Sequence, residues 1–191
     1  MILPIVAYGD PMLKKAAEIT PEDYPDLKQL VADMFETMQF AKGVGLAAPQ
    51  IGKSIRMFLV DASPFAEDDK EGKHQHLRDF KKVFINPEIQ EEWGDEWNFE
   101  EGCLSIPGIR EDVWRNEKIR IKYLDENFNL HEDQFDDISA RIIQHEYDHI
   151  EGVLFTDHLN PLKRRLLKKR LLDISRGIVD VKYKMRFPLK R

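Results

Sequence analysis

Apolar residues recur along this chain at two distinct spacings. Between positions 25 and 41, Leu27, Leu30, Val31, Met34, Phe35 and Met38 fall at i, i+3, i+4, i+7, i+8 and i+11, which is one stripe of an amphipathic helix. Asp26 or Thr20–Pro21 can begin that helix and Gly43 can end it. A small-residue loop, 43–50, follows. Further on, Ile119, Ile121 and Tyr123 alternate with Arg120 and Lys122, the period-two signature of a half-buried strand spanning 117–124. Shorter strand-like runs lie at 55–60, 83–85 and 96–100, and 125–129 reads as a turn into another short strand. Ile138, Ile142, His145 and His149 form a second helical stripe, predicting a helix from about Asp136 to Glu151. Asp136 or Asp137 would cap it and Gly152 would stop it. A third helix, basic, is expected from Pro161, and the polar stretch 61–82 reads as an exposed insertion. The sum is an α+β fold with mostly antiparallel strands around the second helix.

Composition adds bounds rather than detail. The chain has 191 residues, 42% hydrophobic and 34% charged, ordinary for one globular domain that buries roughly 70% of its unfolded surface. The expected division is an acidic body over 1–160 and a basic helix and tail over 161–191. No stretch approaches the ~20 apolar residues of a membrane span. The apolar N-terminal stretch is short and broken by Pro4, so it does not read as a secretory signal. The lone cysteine, Cys103, cannot form an internal disulfide, points to a reducing compartment, and is left to bind metal, react or pack. A cytoplasmic location is expected. The net charge of −6 hides 12 Lys/Arg against 2 Asp/Glu after position 160. An acidic body with a basic tail is no general or sequence-specific nucleic-acid binder, although the tail can meet a polyanion.

The second predicted helix carries the chemistry. His145-Glu-Tyr-Asp-His149 is an H-E-x-x-H motif, whose two histidines lie one turn apart on one face and can reach one metal ion. Two imidazoles on a core-facing stripe need partners, and a shared cation is the simplest. Glu146 can meet a water beside that ion without ligating. A catalytic site also needs a third protein ligand. No glutamate follows Glu151, and Phe155 stands where a metzincin would have histidine. His158 and Asp157 lie beyond the Gly152 break. Cys103, in Glu101-Gly-Cys-Leu-Ser105 and next to a strand-like run, is the better candidate, because thiolate is a strong ligand for divalent transition metals.

Taken together, Gly43-Val-Gly-Leu-Ala-Ala-Pro-Gln50, Glu101-Gly-Cys-Leu-Ser105 and Gln144-His-Glu-Tyr-Asp-His149 resemble, in order and spacing, the three signature motifs of the peptide deformylases. The resemblance covers almost the whole chain, with the insertion at 61–82 as its one departure. It implies Cys103, His145 and His149 as ligands of one divalent ion, Fe²⁺ in the cell, although Zn²⁺, Ni²⁺ or Co²⁺ suit the same donors. The implied reaction is hydrolysis of the formyl group from an N-formylmethionyl peptide by activated water, with Glu146 acting as base and then acid. Gln50 and the Leu104 N–H would stabilise the oxyanion. Val44, Phe99, Ile138 and Ile142 would form the methionine pocket, the missing side chain of Gly45 would let substrate backbone approach the metal, and Arg110 would contact the peptide beyond it. Arg115 and Glu101 would pair behind the cysteine, and the basic helix would dock on the ribosome near the nascent-chain exit. Two rivals stay open from the residues alone. One is a zinc endopeptidase taking His158 or Asp157 as third ligand, and the other is a structural metal site completed by His131 or His158.

Overall fold

The computed structural model describes residues 1–14, 19 and 24–189. Thr20–Pro21, one of the two expected helix starts, lies outside the described residues; helix α1 runs Leu27–Phe40, directly after Asp26. Its stop differs from expectation. Lys42, at φ 57, takes the left-handed position, and the Lys42 and Gly43 amides donate to Gln39 and Met38 carbonyls at 3.0 and 2.9 Å. This is a Schellman closure, with lysine in the strained place and Gly43 one residue beyond it.

Five strands form one antiparallel sheet in the order β2 (Gly45–Ala47), β3 (Met57–Asp61), β4 (Lys81–Cys103), β5 (Ile106–Leu124) and β6 (Leu130–Asp136). Strand β3 is buried along its whole length because both of its faces are covered. Phe58 and Val60 join a core with Ile138, Ala140, Ile142, Ile143 and Ile150 of helix α3 (Asp137–Glu151). Met57 and Leu59 join a second core with Leu27, Val31, Met34 and Met38 of α1. Alternate side chains of one strand therefore serve opposite layers. Gly152 ends α3 at φ 76, where a Cβ would meet the Lys14 backbone at 3.2 Å, so helix stop and close packing both require glycine.

Three expectations need correction. The segment 43–50 is strand β2 followed by a 3-10 turn, Ala48–Ile51, rather than a loop throughout. The runs at 83–85 and 96–100 are parts of one 23-residue strand. Its middle is glutamate-rich and broken in register after Ile85, Ile89 and Trp93, which hides the alternation. The insertion at 61–82 is not simply exposed. It holds helix α2 (Ser63–Glu67), and Ala62, Ala66 and Leu77 are buried in the α3 core.

Helix α4 (Pro161–Ser175) starts as predicted, with Asn160 Oδ1 accepting the Lys163 amide at 2.9 Å. Leu167, Leu171 and Ile174 pack with Ile106, Ile109, Val113 and Phe155 in a third core. Beyond it, β7 (Met185–Arg186) pairs in parallel with β1 (Ile5–Val6).

Candidate metal centre and active site

The sheet and α3 bring two distant segments together. Cys103 ends β4, and α3 presents His145 and His149 one turn apart. Cys103 Sγ lies 3.3 Å from His149 Nε2, and the donor atoms of Cys103, His145 and His149 lie within 4.8 Å of one another. Among the described residues this is the one His/Cys/Asp/Glu group arranged to hold an ion. A soft sulfur and two imidazole nitrogens suit a divalent transition metal, and three protein donors leave a fourth position for solvent.

Behind the donors stands a buried ionic scaffold. Glu101 Oε2 lies 2.8 Å from His145 Nδ1, which fixes the ring and leaves Nε2 for the site. Arg115 grips Glu101 with two bonds, 2.7 and 3.1 Å, as expected. It also donates to Asp148 Oδ2 at 2.7 Å. Arg141 adds a bond to Glu101 Oε1 at 2.9 Å and others to the Val113 and Trp97 carbonyls. Burial disfavours the Glu101 carboxylate, but the hydrogen bonds and charges of His145 and Arg115 hold it well below the usual carboxylate range. Burial also disfavours the Cys103 thiolate, but the His149 charge and hydrogen bonds from both imidazoles outweigh it and bring the thiol down to about 5. Thiolate is the ligating form.

Glu146 is 4% exposed, and its Oε2 is buried without a protein partner. Burial pushes its carboxyl up to about 7, the range of a base that must later return a proton near neutrality. Gly45 makes room for it: a Cβ there would stand 2.3 Å from Glu146 Oε1. The missing side chain of Gly45 thus accommodates the glutamate. Gln50 serves two ends of the site. Its Oε1 accepts the Ala47 amide at 2.8 Å, while Nε2 points at Cys103 Sγ and Ser105 Oγ, 3.4 and 3.2 Å away.

A cleft of about 950 Å³ opens over these groups, lined by Val44, Gly45, Gln50, Phe99, Cys103, Leu104, Arg110, Ile142, His145 and Glu146 among others. Ile138, one helical turn before Ile142, shares its core at 4% exposed and is not among the residues that line the cleft. Arg110, at the rim, pairs with Glu100 at 2.7 Å.

Phe65 from the insertion, Arg141 and Tyr183 also line the cleft, and sequence reasoning missed all three. Only Arg141 carried a signal, standing four residues before His145 on the same helical face. The rival ligands are engaged elsewhere. His158 Nε2 lies 2.7 Å from Asp148 Oδ2, Asp157 accepts the Leu154 amide at 2.9 Å, and His131 Nε2 lies 3.0 Å from Asp125. Among the described residues, neither a protease-type downstream ligand nor a fourth capping residue joins the donor set.

Comparison with known proteins agrees. The polypeptide deformylase family profile matches residues 2–165. A peptide deformylase of Christiangramia forsetii is 57% identical over 190 residues, covering 98% of this chain and 97% of its own. That of Cytophaga hutchinsonii is 55% identical over the full length of both. The crystal structure of a peptide deformylase from Legionella pneumophila superposes with a TM-score of 0.77 at 40% identity, over 93% of this chain and 98% of the other. The chain therefore belongs to the peptide deformylases, metal-dependent hydrolases that remove the formyl group from the N-terminal formylmethionine of new peptides.

Proposed function

We propose that Cys103, His145 and His149 hold the family's metal ion and that Glu146 moves the protons of the reaction. The carrying observation is the convergence of one sulfur and two imidazoles beside a buried, unpaired carboxylate under an open cleft. A divalent ion in that donor set supplies Lewis acidity, which lowers the pKa of water from 15.7 towards about 7. The formyl carbon is attacked by water while Glu146 Oε2 accepts its proton, and the same carboxyl then protonates the leaving amine. Oxygen, proton and amine balance without a further reactant. The oxyanion is met by the Leu104 N–H and by a Gln50 Nε2–H turned from its contact with Cys103 Sγ or Ser105 Oγ. Gln50 is fit for this because its Oε1 is already engaged by Ala47.

Val44, Phe99 and Ile142 receive the methionine side chain, with Phe65 as a further apolar wall, and Arg110 meets the peptide beyond it. The ion in the cell is Fe²⁺, with Zn²⁺, Ni²⁺ and Co²⁺ accepted by the same donors. The protein works in the cytoplasm, where formylated peptides emerge. The exposed Arg164, Arg165, Lys168 and Lys169 of α4 dock on ribosomal RNA by counterion release.

The test is a coupled formate-release assay on formyl-Met peptides with the native chain and Cys103→Ser. The native chain turns over and the variant loses activity together with its metal. Full activity in Cys103→Ser removes the proposed coordination.

A further inference from the structure

The two residues after Cys103, Leu104 and Ser105, close the β4–β5 hairpin, and neither has a positive φ. Two-residue hairpins ordinarily use primed turns with positive φ, because unprimed turns splay the strands. The register is broken here as well. Gly102 pairs with Arg110 but Cys103 pairs with Ile106, leaving Pro107, Gly108 and Ile109 bulged. A turn of this kind is held by its surroundings rather than by its own geometry.

Both of its carbonyls are held from outside the hairpin. The Tyr183 hydroxyl donates to the Leu104 carbonyl at 2.8 Å, and the Tyr8 amide donates to the Ser105 carbonyl at 2.9 Å. The two donors belong to one assembly. The Ile5 and Ala7 amides donate to the Lys184 and Arg186 carbonyls, each at 2.9 Å, and Ser175 Oγ donates to the Tyr8 carbonyl at 2.8 Å. Tyr183 lies beyond residues 2–165, which the family profile matches, and lines the cleft together with Cys103.

We propose that Tyr183 is a positioning residue for deformylation. Its hydroxyl fixes the central peptide of the Leu104–Ser105 turn and so holds Leu104 in the orientation turnover requires. The donor is neutral and removable without loss of the ring, which keeps its packing beside Leu104 in the second core. The proposal rests on the reading of the Leu104 N–H as an oxyanion donor, and the two are separable.

Tyr183→Phe deletes the hydrogen bond alone. Expected is a roughly threefold to tenfold fall in kcat, the worth of one neutral hydrogen bond. KM, bound metal and thermal midpoint stay close to native, and amide hydrogen exchange at 104–106 becomes faster. An unchanged kcat, or a lowered midpoint with native kcat and exchange, overturns the proposal, because a structural role alone would give that pattern. Replacing Leu104 by its α-hydroxy acid removes the N–H and tests the underlying reading separately. A native rate in that ester variant overturns the donor role of Leu104, whereas a native rate in Tyr183→Phe overturns only the role of the tyrosine.

Discussion

At the scale of single residues, Glu146 and Gly45 decide whether the cleft is a site or a packing defect. Glu146 Oε2 is buried with no protein partner, an arrangement that costs stability and that a catalytic role explains. Glu146→Ala is expected to keep the metal and lose at least about 100-fold in kcat; rate and metal content measured on one preparation check this. Gly45 carries a matching prediction. A methyl group there would stand 2.3 Å from Glu146 Oε1 and 2.6 Å from its Cδ, so Gly45→Ala must push the carboxylate aside. Loss of kcat with a native circular dichroism spectrum is expected, and a native rate would show that the glutamate has freedom the packing denies.

At the scale of elements, the Cys103 strand and the histidine helix are joined through Glu101 and Arg115, whose side chains are 4% and 5% exposed. Removing one partner of such a buried pair typically costs about 3–5 kcal/mol. Arg115→Ala should therefore lower the thermal midpoint and loosen the metal, as calorimetry and chelator competition would report. Unchanged metal retention would argue against the link from Glu101 to His145.

The β5–β6 turn offers a pH test away from the site. Burial alone would raise the Asp125 carboxyl. Its contact with His131 and the bonds from the Asn127 and Asn129 amides and the Asn129 side chain instead lower it well below the usual range. A depressed folded value gives stability above the ordinary carboxylate pKa of about 4, which is lost as pH falls. Asp125→Ala should thus be less stable than native at pH 7, and the gap should narrow in acid.

Much at this scale was legible in the sequence. Helices α1, α3 and α4 declare themselves by apolar spacing, although neither Asp26 nor Asp136 makes the side-chain cap bond its position suggests, and the turn at 125–129 shows in its Asp and Asn residues. The length of β4 was hidden, because a glutamate-rich ribbon with register breaks shows no steady alternation. The helical spacing shows Arg141 one turn before His145, but its bonds to Glu101, Val113 and Trp97 and the reach of Tyr183 to Leu104 depend on tertiary approach.

At the scale of the whole molecule, three cores are stacked so that each supports one part of the site. The α3 core sets the histidines, the α1 core sets the 43–50 segment, and the α4 core backs the strand of the cysteine. No helix among the described residues is long and apolar enough to cross a membrane. Helix α4 turns Leu167 and Leu171 inward and leaves Leu162 and Leu166 68% and 71% exposed among its cations. If that face docks on ribosomes, Lys168→Glu with Lys169→Glu should weaken co-sedimentation and flatten its salt dependence while formate release from free peptides stays native. Equal co-sedimentation of native and variant chains at every salt concentration would end that reading.

X-ray absorption on the zinc-loaded protein tests the coordination most directly. One sulfur at about 2.3 Å, two imidazole nitrogens at about 2.0–2.1 Å and one light solvent atom are expected. A spectrum without sulfur in the native protein, or one requiring a fourth protein donor, would contradict the account.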